Sequence, residues 1–388
     1  MKKAVSVLFV LTAVVITGCH NKKEKKKEFA VIAYYIPSDD MPPASIPYHK
    51  LTHIIYSFTK VIDNKMQFNN PDDPKHLSEL LKFRNRNPDM KVMIACGGWG
   101  GSGGFSRMAS TKATRTIFVN SVIDFLKKYD LDGLDIDWEY PGLPGKGNPY
   151  KPEDKENFTA LMKELRAALD NSGKNYILTF AAAGWEKYFD HIELKKVMKY
   201  ADYINVMTYD LASGGTPVTT HHTNLGLVKY SDLKGTPAYA YYKYQEGETP
   251  HSVEKIVDFI MQKGVAPKKI VIGAAFYGRT WKGVPPDNNG LYQNNKGPAA
   301  KVTIKFSNIQ SGYENKNGYM KYWDSVAQAA YLYNKTDSIF ITYDDTLSVK
   351  KKTAYAKNNK LGGIMFWQLT LDAKNNGLLD AIYNEAEK

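Results

Sequence analysis

Short apolar runs recur along the chain, and a helical pattern follows most of them. The runs cover residues 29–35, 53–58, 91–96, 133–137, 177–182, 203–207, 269–274 and 363–367. Each is short and rich in Val, Ile and aromatic residues, as strands buried on both faces are. Helical patterns span 112–129, 153–171, 190–199, 252–263, 348–358 and 372–387, with Thr111, Asp190 and Ser348 placed as N-caps. Eight strands alternating with helices predict an α/β fold, a closed (β/α)8 TIM barrel. Two stretches break the alternation. Residues 211–250, rich in Gly, Thr and Tyr, read as loop. Residues 279–341 are too long for a barrel loop. They read as a small α+β insertion domain between strand seven and its helix, leaving 29–278 and 342–388 for the barrel.

A different pattern opens the chain. Two lysines precede an apolar stretch over 4–16, broken only by Ser6 and Thr12, which is short for a membrane span. Thr17-Gly18-Cys19 follows. Small residues before a cysteine resemble a bacterial lipobox. That resemblance implies a signal peptide over 1–18, acylation of Cys19, and an exported lipoprotein held at the cell envelope, in the outer membrane and facing the periplasm or the outside. The run KKEKKKE at 22–28 then makes 19–28 a charged, self-repelling tether.

Composition narrows the function classes. The 388 residues are 43% hydrophobic and 24% charged, which excludes wholesale disorder, and no further long apolar run points to a polytopic membrane protein. Net charge is +12, but Lys2, Lys3 and the tether carry much of it, and about +7 is spread over the 360 residues from Phe29 onward. No basic helix with interleaved aromatics exists, so no nucleic-acid partner is expected. The 27 Tyr, 16 Phe and 6 Trp suit sugar stacking as well as a large core. With Cys19 acylated, Cys96 has no disulfide partner. His221-His222 reads as a solvated or hydrogen-bonded loop pair, and no metal site is expected.

The chemistry concentrates in LDGLDIDWEYP, residues 131–141. Asp132, Asp135, Asp137 and Glu139 form DxxDxDxE. Residues two apart on a strand share a face, about 6.7 Å apart along it. Asp135, Asp137 and Glu139 therefore point into the barrel, while Leu134, Ile136 and Trp138 point onto helices. Three aligned acids in a low-dielectric interior do not all ionise. A proton shared between Asp135 and Asp137 is expected, with a raised pKa at Glu139, as a general acid at neutral pH requires. A solvated edge strand is excluded by the apolar residues between the acids, and a divalent metal site lacks further hard ligands.

Here the sequence resembles the chitinases of glycoside hydrolase family 18, over about 360 residues. DGLDIDWEYP is the family signature. VIAYYIPSD, THIIYSF, ACGGWGG, INVMTYDL, GAAFYGRTW and GGIMFWQL follow the family pattern at six other strands, and 279–341 resembles the insertion of deep-cleft members. The resemblance implies retaining, substrate-assisted hydrolysis of β-1,4-linked N-acetylglucosamine through an oxazolinium intermediate, without a cofactor. It implies that Glu139 protonates the glycosidic oxygen and Asp137 turns to orient the acetamido nitrogen. Asp135 holds or shares the proton on Asp137, and Tyr209 donates to the acetamido oxygen. Trp367 would floor the −1 subsite, and Trp99 would stack a sugar on the leaving-group side. Met207 and Asp210 would flank the pocket, with Tyr277, Arg279, Tyr34 and Phe58 along the cleft and Trp185 and Trp281 as further platforms.

One departure stands out. The family's SxGG on strand three is Ala95-Cys96-Gly97-Gly98 here, so Asp135 needs another partner, such as a water or the Cys96 thiol. Gly98, Gly100 and Gly103 also match GxGxxG, but no helix opens at once, and the glycines read instead as permitting close approach to a sugar. Chitin or its oligosaccharides are the expected partner of a monomer that meets the membrane only through its lipid. Two other functions remain: an endo-β-N-acetylglucosaminidase on N-glycans, and a non-catalytic glycan-binding lectin, which the presence of Glu139 disfavours.

Overall fold

The computed structural model describes residues 29–245 and 249–388; the Cys19 lipobox, the leader and the tether lie outside the described residues. In chain order the strands are β1 (Ala30–Tyr35), β2 (His53–Ile62), β3 (Lys65–Phe68), β4 (Lys91–Gly97), β5 (Gly133–Asp137), β6 (Ile177–Ala183), β7 (Tyr203–Met207), β8 (Ile270–Ala275), β9 (Tyr277–Lys282), β10 (Pro298–Lys305), β11 (Tyr319–Asp324), β12 (Ala329–Asn334), β13 (Ile339–Tyr343) and β14 (Gly363–Trp367). β1, β2, β4 to β8 and β14 are parallel neighbours, and β1 pairs with both β14 and β2, so the sheet closes into the eight-stranded barrel. β2 runs past residue 58 and folds back on β3 as an antiparallel hairpin, a feature the apolar pattern misses because its outer half is only partly buried.

The alternation of side chains sorts the core into two shells. On β1, Ala30, Ile32 and Tyr34 face the lumen with Ile55, Met93, Ala95, Val271 and Met365. Val31, Ala33 and Tyr35 face outward into the layer beneath the helices. On β5 the outward set is Leu134 and Ile136, continued by Trp138, which stacks on Phe105 at 5.3 Å. Burial of that apolar set turns the carboxylates of the same strand inward.

Helix boundaries follow local hydrogen bonding. The helix Lys112–Lys128 starts at Thr111, whose hydroxyl accepts from the Thr114 amide at 3.2 Å. Asp190 caps no long helix. A 3-10 stretch, Glu186–His191, is followed by one turn, Leu194–Val197. Ser348 is not the N-cap of its helix either. Asp345 is, and Ser348 closes a capping box with it at 2.7 and 2.9 Å. The last helix runs over Leu378–Ala386, and Asp372 lies before it, accepting from the Leu378 and Leu379 amides. Residues 211–245 contain a 3-10 turn, Tyr230–Leu233, and a short helix, Pro237–Tyr242.

The remaining strands form a second, antiparallel sheet in the order β10-β9-β13-β12-β11. β9 follows β8 after the single residue Phe276. β13 lies beside β9 with Tyr343 opposite Gly278, so the chain leaves and re-enters the barrel at one point. Trp281, Tyr331, Tyr333 and Phe340 make this sheet's core with Val218 and Tyr292. Trp281 is fully buried there. It is not a cleft platform: Tyr277 and Arg279 on the same side of β9 reach the cleft, but two residues further along the strand Trp281 is covered by that core.

Candidate active site

The barrel strands end on one face in a cleft of 820 Å³. Tyr34, Phe58, Trp99, Asp137, Glu139, Met207, Tyr209, Asp210, Tyr277, Arg279 and Trp367 all line it, as does Trp185. Asp135 lies one step deeper, with no exposure at all. β5 presents Asp135 and Asp137 inward two residues apart, and Glu139 follows just beyond the strand end.

The three acids differ in their partners. Asp135 accepts hydrogen bonds from Thr179 Oγ1 at 2.5 Å, Tyr34 Oη at 2.9 Å and Asn205 Nδ2 at 3.0 Å. These donors come from β6, β1 and β7, and Cys96 is not among them. The Cys96 thiol faces the outer layer, where burial pushes it up to about 12. Burial raises Asp135, and its three donors oppose the rise. Asp137 Oδ1 is buried without a hydrogen-bond partner among the described residues. Burial raises Asp137 well above the usual carboxylate range, and repulsion from Glu139 and Asp135 adds to it. Burial likewise lifts Glu139 to about 7, eased by a hydrogen bond with Tyr140 and reinforced by the charge of Asp210.

Asp210 is the contrasting acid. Burial would raise it, but hydrogen bonds from His222 and Arg279 outweigh that and hold it low. Arg279 grips it at two points, Nε to Oδ1 and Nη2 to Oδ2, both 2.6 Å. The His222 ring packs on Tyr277 at 5.3 Å, and its Nδ1 lies 3.6 Å from Asp210 Oδ1. Neither His221 nor His222 is solvated; His221 Nε2 lies 3.2 Å from Asp324.

Aromatic rings wall the cleft. Trp367 stacks on Phe58 with centroids 5.5 Å apart and tilts against Tyr34 at 5.9 Å. Trp99 is half exposed at the rim, 6.4 Å from Tyr140, which in turn meets Trp185. Tyr209 Oη sits 3.7 Å from the Met365 sulfur, a weak acceptor that leaves the hydroxyl ready for a better one. Gly97 and Gly98 have φ of +118° and +82°. A Cβ on Gly97 would lie 2.0 Å from the Asp137 carbonyl oxygen, and one on Gly98 would lie 2.7 Å from the Phe58 ring. Their freedom serves that internal approach, while Gly100 lines the cleft. Sequence reasoning missed Thr179, Asn205, Ser102 and Asn148. The first two carry a readable signal, a polar residue at an inward position of an otherwise apolar strand.

An inward acid row between aromatic walls lies at the mouth of a parallel barrel, the face on which barrels of this kind carry their active sites. The chain belongs to the Glycosyl hydrolases family 18, whose profile matches residues 30–372. It is 39% identical over 307 residues to chitinase A1 of Niallia circulans and 34% identical over 339 residues to chitinase A of Pseudoalteromonas piscicida. These matches take in 76% and 79% of the chain but only 43% and 40% of the two relatives. Among solved structures, a family 18 N-acetylglucosaminidase from Paenibacillus barengoltzii is similar with a TM-score of 0.80 and 36% identity, over 92% of this chain and 100% of that one. A chitinase from Bacillus thuringiensis has a TM-score of 0.84 and 29% identity, over 93% of this chain and 70% of that one.

Proposed function

We propose that the chain hydrolyses β-1,4-linked N-acetylglucosamine oligomers and polymers, with retention and with the substrate's own acetamido oxygen as nucleophile. The observation that carries this reading is the acid row. Only Glu139, at the strand end, has a pKa near neutrality, about 7, and faces the cleft. It is the proton donor to the glycosidic oxygen. Asp135, with three donors, is the member best suited to remain ionised, so the row's proton resides on Asp137. Asp137, with an unpartnered oxygen, turns to meet the acetamido nitrogen, and Tyr209 exchanges the Met365 sulfur for the acetamido oxygen. Trp367 floors the reacting sugar, and Trp99 stacks the sugar on the leaving-group side. An internal nucleophile makes a second protein nucleophile unnecessary; this family is an exception to the two-carboxylate scheme.

Digestion of chitin hexaose followed by product sizing and NMR tests the reading. Expected are shorter oligomers, a β-anomer first, and an N-acetyl group on every new reducing-end residue when partly deacetylated chitin is cut. An initial α-anomer, or glucosamine at new reducing ends, overturns the mechanism. A second reading, release of single N-acetylglucosamine units, is favoured by the similarity to the Paenibacillus enzyme across its whole length; a monomer-only product at early times selects it. Binding without turnover would point to a lectin, and cleavage confined to N-glycans to the endo-glycosidase alternative.

The lipoprotein reading of Thr17-Gly18-Cys19 is likewise proposed. Radiolabelled palmitate should label the full chain in a bacterial host, and Cys19→Ser should abolish the label.

A further inference from the structure

The backbone that carries Glu139 lies beyond the ladder of its own strand. β5 ends at Asp137, whose register partner on β4 is Gly97. Past that point no strand pairs with the Glu139 peptide. Two side chains take over. Ser102, fully buried in a 3-10 turn after β4, accepts the Glu139 amide at Oγ, 2.9 Å away. The same hydroxyl lies 3.0 Å from the Asp137 carbonyl and 2.9 Å from the Gly98 carbonyl. On the other side, Asn148 Nδ2 donates to the Glu139 carbonyl at 3.1 Å and to the Trp99 carbonyl at 3.3 Å. Gly145 closes the loop, since a Cβ there would lie 2.3 Å from the Glu139 carbonyl oxygen.

We infer that Ser102 and Asn148 are positioning residues that fix the Glu139 carboxyl from its two backbone ends. Ser102 stands in for the missing strand neighbour. Asn148 joins the acid's peptide to that of Trp99, so the rim platform and the acid move as one body. This inference rests on the proposed role of Glu139 in proton donation. A general acid must meet its target within hydrogen-bond reach, and misplacement by 1 Å costs about 10²-fold in rate. The groups facing Glu139 are Asp137 on β5, Tyr140 and Tyr188 beside it, and Tyr209 and Asp210 after β7. None of them holds the peptide itself.

The test compares Ser102→Ala, Ser102→Thr and Asn148→Ala in the full chain. Three readouts are taken: kcat and Kd on N-acetylglucosamine tetramer, the pH profile of kcat, and the ¹³C titration of the Glu139 carboxyl, assigned by its loss in Glu139→Gln. Ser102→Ala is expected to lower kcat by about 10²-fold while Kd is retained. A freed side chain gains solvent, so its titration should fall from about 7 toward the ordinary 4.5, taking the alkaline limb of kcat with it. Ser102→Thr keeps a hydroxyl and recovers part of the loss, and Asn148→Ala shows the same direction more weakly. Unmoved kcat and titration in folded Ser102→Ala overturn the inference. So does a fall in kcat with unmoved titration and a matching loss of Tm, which would be plain destabilisation. If Ser102→Ala does not fold, part-exposed Asn148 decides by the same readouts. A wild type inert on every N-acetylglucosamine oligomer defeats the functional reading instead, and the carboxyl titration still judges the clamp.

Discussion

Two groups of carboxylates in this molecule differ by one ingredient. In the barrel lumen, Asp135, Asp137 and Glu139 have no cationic partner among the described residues, and all three are pushed upward by burial. At the junction with the second sheet, buried acids meet cations or histidines. Asp210 meets Arg279 and His222, Asp324 meets His221, and Asp344 meets Lys352 at 2.7 Å. Burial opposes ionisation of Asp324 too, yet contacts led by His221 hold it at about 2. Loss of water alone raises an acid's pKa, and a neighbouring cation or histidine reverses the sign. Pairing holds a carboxylate ionised, and withholding it lets a buried acid keep its proton.

The contrast can be broken most severely at its paired end. Lys352→Met leaves the buried Asp344 without its cation, with only Thr223, Ser348 and the Ala275 amide donating to it, and should cost about 3–5 kcal/mol in urea unfolding. Replacing both partners by apolar residues should restore much of the loss, since the pair's own net contribution is small. At the unpaired end, Glu139→Gln should lower kcat on chitin oligomers by at least about 10²-fold while sugar binding persists. Near-wild-type turnover would remove Glu139 from the proton-donor role.

Varying pH sharpens the same comparison without mutation. Glu139 must be protonated to donate, so kcat should hold below about 7 and fall roughly tenfold per pH unit above it. Its folded pKa is raised, so the folded state binds the proton more tightly than the unfolded chain does. This contribution to stability is present below about 4.5 and is lost as pH rises through about 7. Asp210 and Asp324 act oppositely, because their lowered pKa values make stability fall as pH drops below the ordinary carboxylate range. The smallest expected effect is at the aromatic cover. Trp367→Ala should weaken tetramer binding and turnover together, by on the order of 1 kcal/mol beyond lost area. Unchanged kinetics would return Trp367 to plain packing with Phe58.

Legibility in the sequence tracked how local the cause was. All eight barrel strands could be read because each is a short, mostly apolar run, with polar residues such as Asp135, Asp137, Thr179 and Asn205 at inward positions of three of them. The inward acid row could be read because period two needs only the strand itself. The partners of Asp135 could not, since Tyr34, Thr179 and Asn205 converge from three strands up to 101 residues from it. Ser348 looked like a cap because capping residues also occupy the third helical position, where it pairs with Asp345. Trp281 looked like a platform because its motif adjoins the cleft, but its place on β9 gives it to another core. Ser102 lay in a glycine-rich loop, where a lone hydroxyl signals nothing until the fold sets it under Glu139.

The junction of β8 with β9 bears on ancestry. Both connections of the five-stranded unit pass through one antiparallel pair, β9 with β13, so Gly278 and Tyr343 near its two ends are register partners about 5 Å apart. A segment whose ends touch can be gained or excised in one recombination event, and a tight turn can seal the scar. No barrel strand need shift register. What this unit adds to the cleft, Tyr277, Arg279 and Thr303, is thus attached at a single point apart from the acid row on β5.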